Sequence, residues 1–269
     1  MTLKSLLANA TSPVIMGVLN VTPDSFSDGG KYLNTSVAID HALNLIEEGA
    51  DIIDIGGESS RPGSLPISIE EERDRILPVI NELRKQSLIY ISVDTYKPEI
   101  MALAIDSGVN MINDIKAMTS QGALEILSKS KVDISLMHMQ GSPTNMQINP
   151  KYESVTDEVI EFLNERVKRC EDAGINKERI AIDPGFGFGK TFDDNAKLFK
   201  DINRFVQLSL PVLIGVSRKS MIKKMVGENM DDIIDASALY AALAARNGAD
   251  ILRVHDVKKT KQMLDNLKV

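Results

Sequence analysis

The chain has 269 residues, 43% hydrophobic and 26% charged, with a formal net charge of −7 and a single cysteine. That is an ordinary globular balance with enough length for a large core. The acidic charge argues against a nucleic-acid binder, and lone Cys170 excludes an internal disulfide framework. No basic leader precedes an apolar cleavage-site pattern and no apolar run is long enough to span a bilayer, so a cytoplasmic location is expected.

Short β-branched runs alternate with longer amphipathic ones. Strands are expected over Val14–Val21, Asp51–Gly56, Leu88–Asp94, Met111–Ile115, Asp133–Met139, Arg179–Asp183, Pro211–Val216 and Asp250–His255. Each is nearly continuous in Ile, Val, Leu or Met, as in strands buried on both faces. Between them, helices are expected over Ser36–Glu48, Ser68–Lys85, Pro98–Asp106, Glu153–Ala173, Asp193–Gln207 and Asp231–Asn247, with Val257–Leu267 closing the chain. Ser68 followed by Glu70, Glu71 and Glu72 is a cap with charges suited to the helix dipole. Gly49, Gly174 and Gly248 fall where a helix stops and a strand soon starts. Eight β/α units predict an α/β fold of the (β/α)₈ TIM-barrel type, one domain over residues 1–269, with an open doubly wound sheet as the competitor.

Barrel active sites form at the carboxyl ends of the strands, and every expected strand here ends in polar residues. Arg253 and His255 lie two apart on one strand and so share a side. With Asn20 on the neighbouring first strand they make a cationic corner suited to a phosphate or pyrophosphate with a divalent metal. Asp94, Asn113 and Asp183, from strands three, four and six, could accept hydrogen bonds from a flat, donor-rich heterocycle. A metal cage is the alternative, though no His or Cys cluster supports a transition metal. Ser217–Ser220 leads into a helix whose free N–H groups attract an anion. The Gly185-x-Gly187-x-Gly189 pattern lacks P-loop and Rossmann context and reads as a tight turn that lets a planar ring approach the backbone. Asp51 and Asp250, at strand starts, read as caps, and Cys170 as an idle buried thiol.

The runs Met16–Gly30 (MGVLNVTPDSFSDGG) and Asp54–Gly63 (DIGGESSRPG) resemble the first two signatures of the dihydropteroate synthase family of pterin-binding enzymes. Ser92–Thr95, Asn113–Ile115, Asp183–Lys190, Gly215–Ser220 and Arg253–Asp256 follow in that family's order. The resemblance implies joining of 6-hydroxymethyl-7,8-dihydropterin diphosphate to para-aminobenzoate, with Mg²⁺ as cofactor. It implies a pterin held by Asp94, Asn113, Asp183 and Lys219, with apolar contact from Met137, Met139 and Phe188 and close approach at Gly215. It places the diphosphate on Asn20, Arg61, Arg253 and His255, with Asn20 beside the metal. It brings Asp24, Phe26, Ser60 and Pro62 near the aminobenzoate, whose carboxylate falls to Ser220. Asp24, Asp94, Lys219, Arg253 and His255 are the expected catalytic set, and a homodimer through outer helices is implied. Ser60 stands where the family usually has Thr. A pterin-dependent methyltransferase is the rival enzyme, but it has no use for a diphosphate pocket.

Overall fold

A computed structural model describes residues 1–22 and 31–269. Its strands are β1 (Val14–Asn20), β2 (Ile52–Gly56), β3 (Tyr90–Asp94), β4 (Met111–Asp114), β5 (Asp133–Met137), β6 (Ile180–Asp183), β7 (Leu213–Ile214) and β8 (Ile251–Val254). All pair in parallel in the order β6-β5-β4-β3-β2-β1-β8-β7. A parallel bridge between Ile182 and Val212 joins the two ends, and the (β/α)₈ barrel closes. The open-sheet alternative is thereby removed.

Parity sets what faces where. Ile53, Ile55, Ile91, Val93, Ile112, Ile134, Ile182 and Leu252 point outward and pack beneath the helices in one large apolar cluster. Val14, Met16, Ile52, Tyr90, Met111, Ala181, Leu213 and Ile251 face inward and fill the lower barrel. Higher up, the inward positions turn polar, and that change of character makes the site.

The helices are α1 (Leu3–Asn9), α2 (Lys31–Glu47), α3 (Ile69–Gln86), α4 (Pro98–Asp106), α5 (Ala123–Ser128), α6 (Val155–Asp172), α7 (Phe192–Lys200), α8 (Ile202–Val206), α9 (Ser220–Val226), α10 (Met230–Arg246) and α11 (Val257–Leu267). Ser68 caps α3 through the Glu71 N–H as the sequence predicts. The stretch expected as one helix over 193–207 is two, divided at Asp201, whose carboxylate accepts the Thr156 hydroxyl at 2.7 Å. Helix α1 has no counterpart in the sequence reading. It plugs the bottom of the barrel with Leu3, Leu6 and Leu7. Asp133 holds it there, accepting the Leu3 N–H at 2.6 Å and the Tyr90 hydroxyl at 2.7 Å.

Strand starts share one device. Asp51 accepts the Ile15 N–H, Asn110 the Ile91 N–H, and Asp250 the Val212 N–H, each within 2.9 Å. Asp51 and Asp250 are therefore caps, as expected. Leu88 is 90% exposed, so β3 begins two residues later than its apolar run suggested.

Candidate active site

The mouth opens at the carboxyl ends of the strands. Register puts Asn20, Gly56, Asp94 and Asn113 in one row across β1 to β4. Asp183 pairs with Met137 one step higher, across β5 and β6. A Cβ built on Gly56 would lie 3.8 Å from Asn20 Oδ1 and 3.9 Å from Asp94 Oδ2, so glycine lets an amide oxygen and a carboxylate flank one gap. The expected floor of Asp94, Asn113 and Asp183 is thus assembled from three strands.

Arg253 ties the floor to the cationic corner. Its Nε donates to Asp54 Oδ2 at 2.6 Å and its Nη2 to Asp94 Oδ2 at 2.8 Å. Asn113 Nδ2 also donates to Asp54 Oδ2, at 3.3 Å. Asp54 is a hub absent from the expected site. The sequence does carry its signal: a lone carboxylate with inward parity inside the apolar run Ile52–Ile55.

Burial raises the pKa of Asp94 to about 7, with Arg253 pulling it down and Asp54, Asp114 and Glu72 pushing it up. Burial likewise raises that of Asp183, against the opposing pull of Lys219 and the Gly185 N–H. That N–H donates to Asp183 Oδ1 at 2.7 Å, which leaves Oδ2 for a ligand. Burial lowers Lys219 to about 8, although Asp183 favours its charge. Its Nζ donates to the Phe186 carbonyl and sits 4.1 Å from the centroid of the Phe188 ring.

His255 departs from its expected role as a cation. Burial, then Arg253 and Arg218, push it down to about 3, so it is neutral across the physiological range. The His255 N–H donates to Ser217 Oγ at 3.2 Å, and that hydroxyl lies 3.0 Å from Nδ1. With Ser217 as the donor to Nδ1, the ring carries its proton on Nε2 as a neutral donor. The positive charge of the corner belongs to Arg253.

The apolar lip contains Met137 and Phe188 with Ile115 and Met146, packed by Met139 and Tyr96. Three of these six were expected, while Ile115, Met146 and Tyr96 were not. Two of the three glycines of the pattern pack the chain against itself. A Cβ on Gly185 would sit 1.9 Å from the His138 carbonyl oxygen, and one on Gly189 2.3 Å from that of Gln140. Gly185 and Gly189 let the loop after β6 lie against the backbone that follows β5, while a Cβ on Gly187 would sit 2.9 Å from Lys219 Cδ. Lys190 completes that seam, donating to the Gly185 and Phe188 carbonyls and contacting His138 Nδ1 at 2.9 Å. His138 is a structural residue.

Ser60 is half-buried, whereas Arg61 and Pro62 are exposed, all on the loop after β2. Below them, Lys97 Nζ bonds Glu58 at 2.7 Å and Glu72 at 2.6 Å, and the Tyr96 hydroxyl donates to Glu58 at 2.7 Å. This buried cluster fixes the base of the loop. Ser220 is exposed at the start of α9, just after Lys219. Gly215 follows β7, where an added Cβ would lie 3.7 Å from Arg253 Cβ. Asp24 and Phe26 lie outside the described residues.

Fold and mouth define a (β/α)₈-barrel enzyme with a two-ended site, a carboxylate and amide floor beside a guanidinium. Comparison with known proteins narrows the class. Residues 16–255 match the profile of the pterin binding enzyme family. Dihydropteroate synthase of Escherichia coli K12 is 45% identical over 264 residues, 96% of this chain and 94% of that one. A solved structure of the Xanthomonas albilineans dihydropteroate synthase with 4-aminobenzoic acid superposes with a TM-score of 0.90 at 45% identity, covering 96% of this chain and 93% of that one. The same enzyme with 7,8-dihydropteroate gives 0.87 at 43% identity and the same coverage. The chain belongs to the pterin-binding enzyme family, in its dihydropteroate synthase branch.

Proposed function

We propose that the chain condenses 6-hydroxymethyl-7,8-dihydropterin diphosphate with para-aminobenzoate to give 7,8-dihydropteroate and pyrophosphate, a step of folate biosynthesis, and that pyrophosphate leaves before the amine attacks. The observation that carries this reading is the single salt-bridged chain Asp54–Arg253–Asp94 with Asn113 attached, which sets a ring-binding floor against a phosphate-binding cation.

Asp183 Oδ2 accepts the two neighbouring N–H donors of the amino-pyrimidine edge. Asn113 meets the ring beside it, and Lys219 donates to an acceptor edge. Met137, Met139 and Phe188 cover the faces, and Gly215 admits the ring near Arg253. The diphosphate lies on Arg253, on neutral His255 Nε2–H and on Arg61. Breaking the C–O bond sends its electron pair onto the departing pyrophosphate, where Arg253 stabilises it. The ring spreads the resulting positive charge, and ionised Asp94 offsets it. The aminobenzoate nitrogen then forms the C–N bond and releases its proton to water or pyrophosphate. Ser60 and Pro62 flank the aminobenzoate, and Ser220 takes its carboxylate.

Magnesium fits the donor set. Asn20 Oδ1 is a hard oxygen at the mouth, and Asp94 Oδ2 borders the same gap. Among the described residues no group of three His, Cys, Asp or Glu could cage a metal. A single amide oxygen suits an ion held mostly by phosphate and water. Bound there, Mg²⁺ would neutralise charge on the leaving diphosphate. A cytoplasmic homodimer belongs to the same proposal. No helix among the described residues is long and apolar enough to cross a membrane. Val206, Met225, Met230 and Leu239 leave apolar surface on α8, α9 and α10 and at their edges. Sedimentation at micromolar concentration checks the assembly.

The test is turnover. Purified protein with both substrates and Mg²⁺ should yield dihydropteroate and pyrophosphate one for one, and EDTA should suppress both. In rapid-quench single turnovers, pyrophosphate should form without aminobenzoate. A strict requirement for the amine would refute the order, and no product at all would refute the activity.

A further inference from the structure

We infer that Asp54 is a positioning residue that couples the ring-gripping half of the mouth to the diphosphate-gripping half. The inference rests on the proposed reaction and deepens it. Asp54 has inward parity in β2, one two-residue step below Gly56 and the Asp94 row. That step is about 6.6 Å along a strand. Its side chain is fully buried beneath the row that meets ligand.

A carboxylate there costs several kcal/mol unless it is compensated, and for stability alone an apolar residue serves as well. The compensation here comes from two groups of the site. Asp54 Oδ2 accepts from Arg253 Nε at 2.6 Å and from Asn113 Nδ2 at 3.3 Å, while Oδ1 has no partner among the described residues. So the carboxylate is not saturated by a structural network.

Both contacts dictate orientation. A carboxylate cannot accept from an amide oxygen, so Asn113 must turn Nδ2 toward Asp54 and leave Oδ1 as the acceptor for a ring N–H. Arg253 has Nε on Asp54 and Nη2 on Asp94, so two strands fix its guanidinium plane. Its Nη1 has no partner among the described residues and is left for an anion. One buried carboxylate thus sets the amide that meets the ring and the cation that meets the leaving group.

The experiment compares the wild type with Asp54→Asn and Asp54→Ala in the full chain. It follows kcat, both KM values, thermal melting, and the affinities for 6-hydroxymethylpterin and for pyrophosphate. Both variants should weaken both ligands and lower kcat, by about 10- to 100-fold for misplacement of this size. Asp54→Asn should retain more activity than Asp54→Ala, because its amide oxygen still accepts from Arg253 Nε. The KM for aminobenzoate should not change.

The pH profile separates positioning from bulk stability. The charge on Asp94 is influenced by Arg253 from β8, Asp54 from β2, Asp114 from β4, Glu72 from α3 and Lys219 beyond β7. Removing the Asp54 charge should move the acid limb of kcat/KM to lower pH. Unchanged affinities and kcat, or a loss confined to one ligand, would overturn the inference. If neither variant folds, the wild type decides through the ¹⁵N resonance of Arg253 Nε–H. It should stay hydrogen-bonded when pterin and pyrophosphate bind, and its release would overturn the inference. Failure of the wild type to make dihydropteroate would instead count against the reaction, and leave the two affinities to judge Asp54.

Discussion

Replacing Arg253 by Met probes the electrostatics of the mouth. The guanidinium holds Asp54, fully buried, and Asp94, whose side chain is 13% exposed. Methionine keeps the apolar stem but leaves both carboxylates without that counter-charge. Breaking a buried pair from one side costs about 3–5 kcal/mol. The chain can relieve part of this by protonating Asp94, which already titrates near 7 with Arg253 lowering it. Without Arg253 that pKa rises further. A carboxyl raised in the folded state contributes stability at low pH that is lost as pH climbs through the folded value. The destabilisation should therefore approach the full 3–5 kcal/mol at about pH 8.5 and be smaller near pH 6, a melting loss of roughly 6–20 °C at the alkaline end. In catalysis the variant loses charge-assisted hydrogen bonds to the diphosphate of about 1.5–3 kcal/mol each, or ~10- to 150-fold in kcat/KM. Thermal melts across this pH range and steady-state kinetics read both effects. A melting difference from wild type that stays constant with pH, or wild-type kcat/KM, would refute the coupling of Arg253 to Asp94.

Other perturbations test the remaining parts of the site. Asp183→Asn puts a donor where the pterin donors must bind and should weaken 6-hydroxymethylpterin by about 10- to 1,000-fold in calorimetry, with little change in melting. The wild-type kcat/KM profile should be a narrow bell, with an acid limb near 7 from Asp94 and a basic limb near 8 from Lys219. Asp94→Asn should remove the acid limb from the residual activity. Lys97→Met strands Glu58 and Glu72 and should cost about 3–5 kcal/mol in urea melts, with a higher KM for aminobenzoate as the loop loses its base. Gly185→Ala forces a Cβ toward the His138 carbonyl at a backbone φ of +72°, and should destabilise by at least about 3 kcal/mol.

Periodicity carried the fold because its signals are local. Continuous Ile, Val and Leu runs mark the strands, and a glycine at positive φ ends α2, α6 and α10 at Gly49, Gly174 and Gly248. Helix α1 escaped because its seven residues make up barely two turns, and its anchor, Asp133, is 130 residues away. Strand tips and alternation place Asp94, Asn113, Asp183 and Arg253 at the mouth without any knowledge of packing, whereas the ring role of Lys219 came from the family resemblance. The charge state of His255 was not legible, since it depends first on burial, which only the folded barrel sets, and then on Arg253 and Arg218. Asp54 was overlooked because it lies a step below the tips, where a strand reads as core. The packing of Gly185 and Gly189 against the chain's own backbone is a contact invisible to local sequence.

In the proposed reaction one mouth grips a single substrate by both ends. A crystal structure of the chain with 6-hydroxymethyl-7,8-dihydropterin diphosphate and Mg²⁺, without aminobenzoate, tests it most directly. The amino-pyrimidine edge should lie on Asp183 Oδ2, the ring beside Asn113, and the phosphates on Arg253. A ring bound away from Asp183, or phosphates that leave Arg253 untouched, would contradict it.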